Sequence, residues 1–316
     1  MKIPCAIAAL LALGCSGAGA GSPMSLDLKL DRGEVEVRFH DRKVMVYAFA
    51  TNQFKPYVRE LYTLRGENVL RDAPPDHLHH HGLMYAVSIN GVNFWEERDA
   101  PGIERPVEVL SYMTGKDASG LPQAQFVQLI HWLAPADRLA TNSAQVALLF
   151  EQRTLTLTAD ERAGEIALIW DSEFEAGRRP GKLKLHGANY NGLGLRLPES
   201  FNHVAQFQNS SGRPYTGNNT QNVIPAEWTS VAGAIDGRDV LLVLFGNPSN
   251  PRGNDKFFTM LDPFAYLAVT QGLDEQPLEY SPGQTFRLRY LLAVYSQTRP
   301  RDALASRYQR WIKETN

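Results

Sequence analysis

The stretch EIALIWDSEFE, Glu165 to Glu175, sets Ile166, Leu168, Trp170, Ser172 and Phe174 on one side of a two-residue period. Glu165, Asp171, Glu173 and Glu175 fall on the other side. A period of two marks a strand, because successive side chains leave the pleated backbone on opposite faces. The same alternation recurs in Val35, Val37 and Phe39 against Glu34, Glu36 and Arg38, and again in Phe286, Leu288, Tyr290, Leu292 and Val294. Further strands are expected at Lys43–Ala50, Leu83–Ile89, Gln125–Trp132, Val146–Thr158, Val240–Phe245 and Tyr266–Gln271.

Between these runs, Asn90-Gly91 and Asp236-Gly237 are dipeptides that accept the positive φ angles of tight hairpins, so antiparallel pairing follows. One helix is expected, at the C-terminus, where Leu304, Tyr308, Trp311 and Ile312 share a face and Asp302 sits in the first turn. Many strands with so little helix predict an all-β fold of two packed antiparallel sheets, a large β-sandwich closed by a C-terminal helix. With 316 residues, 43% of them hydrophobic, and no linker-like stretch, the expectation is one domain over residues 24–316.

Residues 1–20 read as a signal peptide: Lys2, an apolar run from Ile3 to Leu13, and the small residues Ala18-Gly19-Ala20. The rival reading lipidates Cys15 after Leu11-Ala12-Leu13-Gly14. Either way the expectation is export, to the periplasm or beyond the cell. Both cysteines, Cys5 and Cys15, fall in this segment, which removes thiol catalysis, disulfides, zinc-cysteine sites and iron-sulfur ligation from the body. A formal charge of -2 with scattered Lys and Arg shows no footprint for nucleic acid. No later apolar stretch approaches the roughly 18 residues of a membrane span.

Half of the eight histidines, His77, His79, His80 and His81, fall within five positions, directly after Pro74-Pro75-Asp76. If the segment is extended, His77 and His79 face together and His80 points away. Imidazole titrates near neutrality, so these rings suit general acid and base chemistry without a cofactor, with Asp76 orienting a ring or acting as a carboxylate. The competing reading is a divalent metal gripped by His77, His79 and a carboxylate. Val92 to Glu97 then brings Asn93, two aromatics and two carboxylates; Trp95 suits a sugar ring, and Glu96 could complement a histidine. In HGANYNGLGLRLP, His186 to Pro198, Arg196 suits a carboxylate or oxyanion, and Tyr190 is a candidate ligand contact. Tyr57 is a second stacking candidate, and Asn250 in GNPSNPR a candidate pocket-lining amide. His131 and His203, each isolated, are expected to be structural.

KPYVRELYTLRGENVLRD, DHLHHHGL, NGVNFW, YNGLGLR, NPSNPR and SPGQTFRLRYLLAVYS, taken in this order, resemble the PmoA-like family, a family of unknown function often labelled "methane oxygenase". The resemblance implies a galactose-mutarotase-like supersandwich and an association with glycan breakdown. The oxygenase label implies a multispan membrane subunit, which this chain, without a span, does not match. On the family pattern His81 is the least secure member of the cluster. Together the residues and the resemblance lead to an exported carbohydrate-active enzyme, a hydrolase, lyase or epimerase, with His79 and His80 as the proton-transfer pair. A metal-dependent enzyme and a noncatalytic glycan-binding protein are the alternatives.

Overall fold

The computed structural model describes residues 26–135, 147–215, 221–253 and 255–315. Residues 1–20, read as a signal peptide, with Cys15, and Val146 lie outside the described residues. A nine-stranded sheet runs in the order Leu26–Asp31, Glu34–Phe39, Arg42–Ala48, Tyr57–Leu61, Leu83–Ala86, Gly192–Arg196, Tyr266–Thr270, Lys256–Met260, Asn222–Pro225. An eight-stranded sheet runs Gln206–Asn209, Trp228–Ile235, Arg238–Gly246, Thr285–Tyr295, Glu165–Ala176, Ala147–Asp160, Pro122–Leu133, Ile103–Lys116. Four short strands, Leu278–Tyr280, Leu183–His186, Ser88–Ile89 and Val92–Asn93, form a third. Every neighbouring pair is antiparallel. Asn90-Gly91 and Asp236-Gly237 make their hairpins with all four φ angles positive.

The two large sheets pack face to face through aromatic side chains. Tyr47 meets Phe126 at 5.5 Å between ring centroids, and Tyr85 meets Trp132 at 5.9 Å and Phe174 at 5.8 Å. The Glu165–Ala176 strand sends Ile166, Leu168, Trp170 and Phe174 into this core. Its other face is only partly for water: Ala167 and the facing Leu291, Ala293 and Tyr295 are buried beneath Leu304, Tyr308 and Trp311 of the C-terminal helix, Arg301–Thr315. Among the described residues no helix is long and apolar enough to cross a membrane.

The register of the nine-stranded sheet locates a second working face. Tyr85 points at the opposite sheet, and Leu193, Val269 and Phe257 are its register partners across the next three strands. Residues one step away, Gly194 with Ala268 and Phe258, then Arg196 with Tyr266 and Met260, therefore face outward. The loops that follow the Tyr57–Leu61 and Val92–Asn93 strands close over this outer face.

Candidate functional site

A cleft of about 590 Å³ opens on that outer face. Its floor is Phe258, Met260 and Tyr266; its walls are Asp76, His77, His79, His80, Trp95, Glu96 and Tyr190. The histidine segment reaches it through turns. His77 N–H donates to the Pro74 carbonyl at 2.9 Å and His80 N–H to the His77 carbonyl at 2.9 Å, so the expected extended strand is replaced by two consecutive turns. Alternation no longer applies, and His77, His79 and His80 line one cleft. Both ends of the loop are tied to the backbone of one residue, Arg196. Arg71 N–H donates to the Arg196 carbonyl, and Arg196 N–H donates to the Gly82 carbonyl, each at 2.9 Å. Gly82 has no alternative here, because a Cβ would lie 2.4 Å from the Val58 carbonyl oxygen.

The three rings pack on one another. His77 stacks on His80 with centroids 4.5 Å apart, and His79 meets His80 edge-on at 4.5 Å. Phe264 lies edge-on to His77 at 4.8 Å and to His80 at 5.3 Å. Burial, reinforced by the neighbouring His79 and His77, pushes the His80 pKa down to about 2, and its Nδ1 has no hydrogen-bond partner. Burial likewise lowers the pKa of His79, helped by the Lys55 charge. Both rings are therefore neutral at physiological pH. Trp95 and Tyr190 meet edge-to-face at 5.3 Å and form the aromatic wall. The Asn93 side chain aims this segment, its Oδ1 accepting from the Trp95 and Glu96 N–H groups at 2.8 and 3.2 Å.

Asp76 is engaged on one oxygen by two donors. Oδ2 accepts from Arg196 Nη2 at 2.7 Å and faces His77 Nδ1 at 3.0 Å. Burial alone would raise the Asp76 pKa, but these two hydrogen bonds and the Arg196 charge outweigh it and hold the carboxyl down to about 2. Arg196 itself is 1% exposed, spreads its guanidinium 3.5 Å from the Phe264 ring centre and does not line the cleft. Its expected role as a direct holder of a substrate carboxylate gives way to a grip on Asp76. Glu96 does line the cleft, and a 2.8 Å hydrogen bond from Arg98 lowers its pKa.

His81 turns the other way and belongs to a separate buried network. Its Nδ1 meets Asp72 Oδ1 and its Nε2 meets Glu97 Oε1, both at 2.9 Å. Two carboxylates offer only acceptors, so both nitrogens carry hydrogen and the ring is an imidazolium. Burial opposes that charge, but the hydrogen bonds to Asp72 and Glu97 overcome it and raise the His81 pKa. Tyr57, expected to stack on a ligand, stacks on His81 instead at 4.1 Å and donates its hydroxyl to Asp72 at 3.2 Å. Lys55 completes the set, donating to Glu97 at 2.8 Å and to the Trp95 carbonyl at 3.1 Å.

Asn250 also stands away from the cleft. It donates to Asp255 Oδ2 at 3.0 Å and exchanges two hydrogen bonds with the Arg289 backbone, pinning its loop to the Thr285–Tyr295 strand. Phe258 and Met260 escaped the sequence reading because no local pattern marks an outward-facing strand residue that a loop later covers, and Phe264 because it lies in the connection between two strands. Tyr266 lay within an expected strand, but its hydroxyl rests against Gly194, a contact only the register reveals. Among the described residues no group of three or more His, Cys, Asp and Glu side chains is arranged to hold a metal ion.

Residues 34–309 match the model of a Family of unknown function (DUF6807). The chain belongs to that family. No curated protein matches the DUF6807 chain in sequence. Among solved structures, it is similar to an α-galactosidase from Lactobacillus brevis, with a TM-score of 0.51 and 10% identity over 86% of this chain and 39% of that one. The GH36 α-galactosidase AgaB from Geobacillus stearothermophilus follows with a TM-score of 0.48 and 12% identity over 87% of this chain and 41% of that one. The DUF6807 chain thus spans about two fifths of the length of these structures. The first likeness establishes a shared fold.

Proposed function

We propose that this DUF6807 protein is an exported carbohydrate-active enzyme that moves protons on a sugar with imidazole groups, acting as a lyase or epimerase. The observation that carries the reading is the convergence of His77, His79 and His80 on one aromatic-walled cleft, with His79 and His80 held neutral by burial. A neutral imidazole presents one nitrogen that can accept a proton and one N–H that can donate; His80, its pKa held to about 2, is the poorest base of the three, and the Trp95 and Tyr190 wall suits the apolar face of a sugar ring.

Hydrolysis, which the sequence leaves open beside lyase and epimerase chemistry, fits less well in its two-carboxyl form. Such hydrolysis needs one carboxylic acid kept protonated by a raised pKa. In this cleft Asp76 and Glu96 are both ion-paired to arginines, and both have lowered pKa values. The imidazoles are left as the groups suited to proton transfer.

The test is a screen of neutral and acidic glycans read by mass spectrometry, followed by His79→Ala and His77→Ala on any substrate turned over. A loss of ~10²- to 10⁴-fold in kcat is expected for a removed acid or base. Unchanged turnover in both variants overturns the assignment. Glycan affinity that survives both substitutions, with no product at any stage, would make the protein a binding module instead.

A further inference from the structure

We infer that Arg196 and Asp76 are positioning residues that fix one tautomer of His77, making its Nε2 the base of the cleft. The inference rests on the reading of the cleft as an imidazole proton-transfer site, and it departs from the expectation that His79 and His80 act as the pair.

The argument begins at Arg196, which is fully buried and reaches Asp76 Oδ2 through Nη2 at 2.7 Å. A guanidinium keeps its charge at any physiological pH, so the carboxylate beside it stays ionised. An ionised carboxylate only accepts hydrogen bonds. His77 Nδ1, 3.0 Å from the same Oδ2, must therefore be the nitrogen that carries the hydrogen. In the neutral ring the lone pair is then confined to Nε2. Of the three cleft imidazoles, His77 is the one whose ring nitrogen is held by a carboxylate; His80 Nδ1 has no partner at all.

The arrangement also stabilises the product of proton transfer. When Nε2 takes a proton, the imidazolium forms beside a carboxylate already in place, with no reorganisation of the site. Arg196 is itself positioned by stacking on Phe264, and the same Phe264 packs edge-on against His77. Its Nε and Nη1 have no hydrogen-bond partner, so the single bond to Asp76 and the aromatic face are what orient it.

The experiment is long-range nitrogen-15 NMR of the histidine rings in the full chain, combined with kinetics on any substrate found. The wild-type His77 ring is expected to be in the Nδ1–H form when neutral. Arg196→Met and Asp76→Ala should give mixed tautomers and lower kcat by ~100-fold or more, with KM little changed. Arg196→Lys should restore much of both. A wild-type ring in the Nε2–H form overturns the inference without any variant, as does a tautomer untouched by a folded Arg196→Met. If the tautomer behaves as expected but no sugar is turned over, the positioning stands and the carbohydrate reading falls.

Discussion

At the scale of single residues, four clustered histidines divide into two chemistries. His77, His79 and His80 are gathered at a cleft, whereas His81 is locked between Asp72 and Glu97 under Tyr57. The His81 pKa is raised in the fold, so its stabilisation is complete below its ordinary value near 6.5 and is lost as pH climbs through the raised one. Glu97 runs the opposite way. Burial would raise it, but His81 and Lys55 hold it to about 2, so its contribution is present above about 4.5 and is lost as pH falls towards 2. Replacing His81 by Leu leaves Asp72 and Glu97 facing each other without their shared cation and is expected to cost ~3 kcal/mol near pH 6. Urea unfolding from pH 5 to 9 checks this: the gap to wild type should narrow towards alkaline pH, and a constant gap would refute the linkage. Strand alternation groups His77 with His79 and His81, whereas the turns from Pro74 to His80 regroup the rings; in the sequence only the family resemblance set His81 apart.

At the scale of elements, legibility follows how strongly one face of a strand is buried. Glu34–Phe39, Pro122–Leu133 and Glu165–Ala176 have cores on one side and were readable from their period. Ile103–Lys116 was missed. It is an edge strand exposed along most of its length, carries Pro106 and shifts register between Pro106 and Glu108 and between Val109 and Ser111, so neither burial nor regular pairing stamps a pattern on it. The C-terminal helix was readable because its stripe is real, and the stripe covers the outer face of the eight-stranded sheet. Trp311 is its deepest residue, fully buried near Phe245. Trp311→Ala is expected to lose ~3–5 kcal/mol of stability. The cleft lies on the outer face of the other sheet, so ligand affinity measured on the folded variant should be unchanged; a large loss of affinity would show that the two faces are coupled.

At the scale of the whole molecule, the same sandwich occurs within a much longer α-galactosidase, and a shared fold does not carry a shared reaction. What the fold does supply is a platform for the cleft loops, and a buried ionic group of one large sheet hydrogen-bonds across the join to the other. Arg153, fully buried, donates to Glu151 at 2.7 and 2.9 Å and to Glu104 at 3.3 Å within its own sheet. It also crosses to the other side, donating to the Pro56 carbonyl at 2.8 Å and the Tyr47 hydroxyl at 3.3 Å. Glu151 is further held by Trp132 Nε1 at 2.8 Å and Ser172 at 2.6 Å. Burial pushes the Glu104 carboxyl well above its usual range, with Arg153 opposing that rise. A buried group of this kind adds little over a well-packed apolar core when complete, yet it is costly when broken, because the remaining charge has no solvent to turn to. Arg153→Leu is therefore expected to lose ~3–5 kcal/mol. Adding Glu151→Leu should cost much less than its effect in the wild-type background, since the stranded carboxylate is then gone. A double-mutant cycle by urea unfolding measures that coupling, and simple additivity of the two losses would mean that Arg153 acts by packing on Trp170 of its own sheet, 4.3 Å from its ring centre, and not by charge.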